Sequence, residues 1–130
     1  MAVVTGLDHA VLTVRDINRS LRWYRQVLGL QLRWDGRRLR GHRMTFLGDR
    51  SGSFLVLLEK RTRQRGNLQG LDHLAFSVRD IEAARRAVER RGVTITGERE
   101  DEDGRGKSYY FEDPDGQELE IYGPIRRRRR

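Results

Sequence analysis

The chain has no cysteine. Disulfides, thiolate metal sites and cysteine nucleophiles are therefore excluded. Lysine is nearly absent too: only Lys60 and Lys107 occur, and every other basic side chain of that charge is an arginine. Histidine is confined to His9, His42 and His73. No run approaches the roughly 20 apolar residues that a membrane-crossing helix needs. Met1–Gly6 shows neither the basic nor the apolar part of a secretory signal, so a cytoplasmic location is expected. Apolar residues make up only 36% of the 130 residues. They gather into periodic runs, so a small core can form. At this length one compact domain is expected, or one built of two halves.

The formal charge is +8, and five of those charges are Arg126–Arg130. Like charges repel, so this end is expected to be a disordered tail. Its contacts with nucleic acid or anionic surfaces would be weak and salt-dependent.

What the sequence does have is a repeat. Gly6–Ile17 reads G-L-D-H-A-V-L-T-V-R-D-I, and Gly70–Ile81 reads G-L-D-H-L-A-F-S-V-R-D-I. The two lie 64 positions apart and share eight of twelve residues. A repeat of this kind fixes the architecture before any other feature. Leu7–Val14 alternates as a strand does, with His9, Val11 and Thr13 on one face. Asp16 is placed to cap a helix over Ile17–Leu28, which Gly29 ends. Leu30–Trp34 reads as a strand, Asp35-Gly36 as a turn and Arg37–Leu47 as further strand. Gly48–Gly52 reads as a hairpin and Ser53–Glu59 as an apolar strand. The unit is βαβββ, over residues 6–59.

Residues 60–69 read as a polar linker, and a second unit over 70–124 repeats the plan. Leu71–Val78 is its first strand, and Asp80 caps a helix over Ile81–Arg91, stopped by Gly92. Val93–Thr96 reads as a short strand and Glu98–Gly106 as a mobile charged loop. Lys107–Phe111 and Gln117–Tyr122 are strands joined by the turn Asp113-Pro114-Asp115-Gly116. The expected fold class is α+β. Its two βαβββ modules make one domain over residues 1–125, with 126–130 as the tail.

The offset also carries chemistry. It makes His9 equivalent to His73, Phe46 to Tyr110, and Val56 to Glu120. Two related units packed about a pseudo-twofold axis bring equivalent positions together, so His9, His73 and Glu120 are expected in one cleft. Two imidazoles and a carboxylate with open coordination positions suit Fe(II), Mn(II) or a similar divalent ion. The open positions suit a substrate that chelates through neighbouring oxygens, with the ion acting as Lewis acid.

With these motifs, the sequence resembles the vicinal oxygen chelate superfamily: glyoxalase I, fosfomycin-resistance proteins, type I extradiol dioxygenases and bleomycin-resistance proteins. The resemblance runs from Gly6 to about Pro124. It rests on G-L-D-H-A-V-L-T-V, S-L-R-W-Y-R-Q-V-L-G-L, G-L-D-H-L-A-F-S-V and Y-F-E-D-P-D-G-Q-E-L-E-I-Y. It implies paired βαβββ modules forming a cupped, open barrel, with His9, His73 and Glu120 as metal ligands. Fe(II) or Mn(II) is favoured, with Ni(II) and Zn(II) as further options. It leaves open whether the modules pair within one chain or across a homodimer.

The subfamilies differ in their fit. Glyoxalase I uses a fourth ligand where this chain has Val56, and Glu59 has the opposite strand parity. Extradiol enzymes place a substrate-binding Tyr ten residues before the ligand Glu, where Tyr110 stands. Their acid-base His would fall near Gly104–Lys107, where there is none, leaving His42 as the only other candidate. Fosfomycin-resistance enzymes share G-K-S-Y-Y-F-E-D-P-D-G but differ at Val11 and Gln117. Bleomycin-resistance proteins lack the triad and tend to be acidic. The reading at this level is a metal-dependent enzyme leaning towards extradiol-type oxygen chemistry, with Tyr110 and His42 as catalytic candidates. Lys107, Ser108 and Tyr109 are candidate substrate contacts. The alternatives are a glyoxalase- or fosfomycin-type lyase or transferase, and a metal-free small-molecule binding protein.

Overall fold

The computed structural model describes residues 7–39, 41–60, 71 and 73–126. The chain divides into two compact units, Met1–Gln64 and Arg65–Arg130. The expected linker falls at this boundary, and its residues 61–69 lie outside the described residues, as do Arg127–Arg130 of the tail. Arg126 donates from Nε to the carbonyl of Arg79 at 3.0 Å.

The first unit runs β1 (Ala10–Val14), α1 (Ile17–Gln26), β2 (Gln31–Leu39), β3 (His42–Asp49) and β4 (Gly52–Glu59). The second runs β5 (Leu74–Ser77), α2 (Ile81–Arg90), β6 (Gly97–Glu100), β7 (Gly106–Glu112) and β8 (Glu118–Pro124). Each is βαβββ, with sheet orders β1-β4-β3-β2 and β5-β8-β7-β6. In each the first and last strands are parallel and the other pairings antiparallel. The repeat also holds in the register of the first and last strands. Val11 pairs with Val56 and Ala75 with Glu120, both partners shifted by 64.

Local chemistry sets the helices. The Asp16 and Asp80 carboxylates accept from the backbone N–H groups of Arg19 and Ala83, at 3.1 and 3.2 Å. Each satisfies a donor that the first helical turn leaves free, and such a cap stabilises by about 1 kcal/mol. Ile17, Ser20 and Tyr24 of α1 and Ile81 and Val88 of α2 recur at helical spacing and are buried. Leu47, Leu55 and Leu57 complete a core beneath α1, and Phe111, Leu119 and Ile121 one beneath α2.

Three expectations change. Asp35-Gly36 is not a turn: β2 runs straight through it, and the register slips between Asp35 and Arg37. Gly36 takes φ +104°, so its positive φ serves a bulge, and the chain reverses at Gly41 (φ +83°) instead. Arg43 grips the Asp35 carboxylate from the neighbouring strand, at 2.7 Å from Nη2 and 3.2 Å from Nε. That pairing holds Asp35 inside the sheet. Second, Val93–Thr96 is not a strand; β6 starts at Gly97 and takes in the charged residues Glu98, Arg99 and Glu100. Charge suits an edge strand, which has no neighbour on one side. Third, the rest of the charged stretch is a closed hairpin rather than an open loop. Asp101 N–H bonds to the Gly106 carbonyl at 2.9 Å, and Tyr122 donates its hydroxyl to Asp101 Oδ2 at 2.6 Å.

Candidate metal centre

Strand alternation decides which side chains share a face. In β7, Tyr109 points to the α2 side, where its hydroxyl donates to Glu82 Oε1 at 2.7 Å. Ser108 and Tyr110 therefore point to the other face. Tyr110 stands opposite Glu120 and Ser108 opposite Tyr122 in the register. His73 immediately precedes β5 rather than lying within it, because the pairing with β8 begins at Leu74.

On that face the structure brings four of the expected residues together. His73 Nε2 lies 3.2 Å from Glu120 Oε1. Ser108 Oγ donates to Glu120 Oε2 at 2.7 Å. The His73 and Tyr110 rings meet edge to face, with centroids 6.1 Å apart. Glu120 is 7% exposed and Ser108 fully buried. The 3.2 Å separation fits a shared divalent ion. Two donors each about 2.1 Å from an octahedral ion and at right angles stand about 3.0 Å apart. Among the described residues no group of three or more His, Cys, Asp or Glu side chains is gathered. The second unit thus presents a two-donor pair.

The first unit carries the same face with different chemistry. The positions equivalent to Ser108, Tyr110, Glu120 and Tyr122 are Met44, Phe46, Val56 and Leu58. The same pairs meet in its sheet, Phe46 with Val56 and Met44 with Leu58. Of the donors, this unit has only His9, again one residue before the strand. His9 Nδ1 is 2.8 Å from Asp8 Oδ2. The carboxylate can only accept, so Nδ1 carries the proton in that bond, and a neutral ring keeps its lone pair on Nε2. His73 also turns Nε2 towards its partner.

The remaining candidates lie elsewhere. Glu59 Oε2 accepts the Ile17 N–H at 3.0 Å, which turns its carboxylate to the start of α1, on the face opposite Val56. His42 is exposed on the first residue of β3. Lys107 and Tyr109, expected as substrate contacts, point to the α2 side instead. Lys107 Nζ is 3.6 Å from both Glu82 and Glu98 and sits 4.9 Å from the Tyr109 ring centre. Contact with the Tyr109 hydroxyl, then the nearby negative charges, pushes the Lys107 pKa up to about 12. The Tyr109 hydroxyl, followed by Arg85 and Lys107, holds the Glu82 carboxyl below its usual range against a smaller opposing effect of burial.

Two residues of this region escaped the sequence reading. Arg99 stands opposite Ser108 in the register, and the Tyr110 hydroxyl first, with Asp101 and the Glu120 carboxylate adding less, raises its pKa. Its signal was hidden because Glu98–Gly106 reads as a loop, while strand parity from Ser108 would have placed it. Glu82 has no sequence signal of its own: its partner Tyr109 lies 27 residues further along the chain, and the contact is tertiary.

The fold and this face define a class. The model of the Glyoxalase/Bleomycin resistance protein/Dioxygenase superfamily matches residues 6–121, and the chain belongs to that superfamily. It is 34% identical over 126 residues to the glutathione transferase FosA of Serratia marcescens, covering 92% of this chain and 82% of that one. It is 32% identical over 121 residues to the lactoylglutathione lyase of Haemophilus influenzae, covering 87% and 88%. A glyoxylase/bleomycin resistance protein/dioxygenase domain from Frankia superposes with a TM-score of 0.76, at 28% identity and 96% coverage of both chains.

Proposed function

We propose that this chain is a metal-dependent enzyme that joins a thiol of the glutathione class to a small oxygen-bearing electrophile, or rearranges such an adduct. His9, His73 and Glu120 would hold the ion. The observation that carries the reading is the 3.2 Å approach of His73 Nε2 to Glu120 Oε1 on a face that also bears Tyr110. Both named relatives act in glutathione chemistry, a transferase and a lyase. That favours the thiol reading over the extradiol one.

A bound divalent ion supplies Lewis-acid polarisation of a substrate oxygen. Tyr110 supplies a hydroxyl to orient a substrate oxygen, and Arg99, on the neighbouring strand opposite Ser108, a positive charge for an anionic substituent. Mn(II) or Fe(II) suits two imidazoles and a carboxylate, with Ni(II) and Zn(II) next. The thiol nucleophile comes from the co-substrate, since the chain has no cysteine.

The test is metal content by elemental analysis of protein purified without chelators, with His73→Ala and His9→Ala in parallel. Glutathione consumption is then followed with an epoxide and with a hemithioacetal. The reading expects about one ion per chain, lost in both variants, and thiol-dependent turnover. No ion after incubation with excess metal overturns it. Turnover of a catechol that needs oxygen and no thiol returns the extradiol reading. The expected homodimer is checked by light scattering on the same samples.

A further inference from the structure

We propose that Ser108 is a positioning residue that makes Glu120 a one-oxygen ligand and so keeps a coordination position free for substrate. The inference rests on the proposed metal site. Ser108 is fully buried, and its single hydroxyl proton is committed to Glu120 Oε2 at 2.7 Å. An ionised carboxylate only accepts, so the direction of that bond is fixed. The other oxygen, Oε1, is the one turned to His73 Nε2. The two carboxylate oxygens therefore have different tasks: Oε2 is held by Ser108, and Oε1, beside His73, would be the one offered to an ion.

The backbone keeps Ser108 in place. Its strand neighbours in the register are Arg99 on one side and Tyr122 on the other. The residue after it, Tyr109, is anchored to Glu82 from the opposite face. The internal repeat acts as a control. Where the first unit has Val56 in place of Glu120, it has Met44 in place of Ser108. The hydroxyl occurs in the unit that has the carboxylate to orient. A carboxylate freed from this bond can bind an ion through both oxygens, which uses one more position. A substrate that chelates through two oxygens then finds one position too few.

The test uses Co(II)-loaded full-length protein, its visible spectrum, and acetohydroxamate as a two-oxygen probe. Ser108→Ala should change the Co(II) spectrum and weaken hydroxamate binding by about tenfold or more, the scale on which partners of metal ligands act. Ser108→Thr keeps the hydroxyl and should restore both. Circular dichroism of each variant separates a lost bond from a lost fold, and folded Ser108→Thr with wild-type behaviour supports the assignment. A Ser108→Ala spectrum and hydroxamate affinity equal to wild type overturn this inference alone. A wild-type protein that takes up no Co(II) overturns it together with the metal site on which it rests.

Discussion

Tyr109 donates its hydroxyl to Glu82 Oε1 at 2.7 Å, from the residue between the two that face Glu120. One strand thus joins two tasks. Its α2-side residues hold the sheet to the helix, and its other residues present Ser108 and Tyr110. Tyr109 is 3% exposed, and Arg85 and Lys107 sit over its ring at 5.5 and 4.9 Å. Tyr109→Phe keeps the ring and removes only the hydroxyl. It should cost about 1.5–3 kcal/mol in urea unfolding, as expected for a hydrogen bond to a charged group. Metal affinity should stay near wild type. A tenfold loss of affinity with unchanged stability would show that Tyr109 belongs to the site.

Glu59 tests the number of ligands. Its carboxylate accepts the Ile17 N–H at the start of α1, where a negative charge also favours the helix dipole. Glu59→Gln keeps an acceptor and loses the charge, so stability should fall by about 0.5 kcal/mol. Metal occupancy should not change. A large loss of bound ion would instead bring in Glu59 as a fourth ligand.

The pH dependence of stability follows from two clusters. Arg43 holds the Asp35 carboxyl below its usual range, chiefly through their hydrogen bonds, and Glu82 is lowered as well. Carboxyls lowered in the folded state contribute stability that is present above the ordinary pKa of about 4 and lost as pH falls through the folded values. At the other end, burial raises Tyr109, and Lys107 rises to about 12. Their contribution is complete below about pH 10 and is lost as pH climbs towards 12. Urea midpoints measured against pH should show a plateau between these limbs. Asp35→Asn should flatten the acid limb; an unchanged acid limb would show that the Asp35–Arg43 pair contributes nothing there.

The repeat made most of this legible. Identical residues 64 apart predicted two βαβββ units, and Asp16 and Asp80 announced both helices because a cap is a local interaction. The equivalence of Val56 and Glu120 was also readable, and the sheet register reproduces it. Errors came where one residue type serves two geometries. Asp35-Gly36 has the composition of a turn, yet a positive-φ glycine serves a bulge equally well, and Arg43, eight residues on, decides between them. Lys107 and Tyr109 adjoin Ser108 in sequence, yet alternation sends them to the opposite face, against Glu82. Arg99 was lost because a charged edge strand reads as a loop.

Two glycines in the second unit separate crowding by side chain from crowding by backbone. A Cβ on Gly106 would lie 2.5 Å from Asp101 Oδ2 and 2.6 Å from the Tyr122 hydroxyl. Both are ends of side chains and can swing aside, so Gly106→Ala should cost little more than the Asp101–Tyr122 hydrogen bond, about 1 kcal/mol. A Cβ on Gly123 would lie 2.5 Å from the carbonyl oxygen of Val78. That atom is backbone, just after β5, and its residue is tied to β8 by the Val78 N–H bond to the Tyr122 carbonyl at 3.0 Å. Gly123→Ala must push the two chains apart, at a cost of about 2–3 kcal/mol, in the range of overpacking. Because β5 follows directly on His73, the same shift should weaken divalent-metal binding. Gly106→Ala lacks that route and should bind metal as wild type does. Urea unfolding and metal titration of the two variants side by side check the argument; equal costs would show that β5 and β8 can separate without strain.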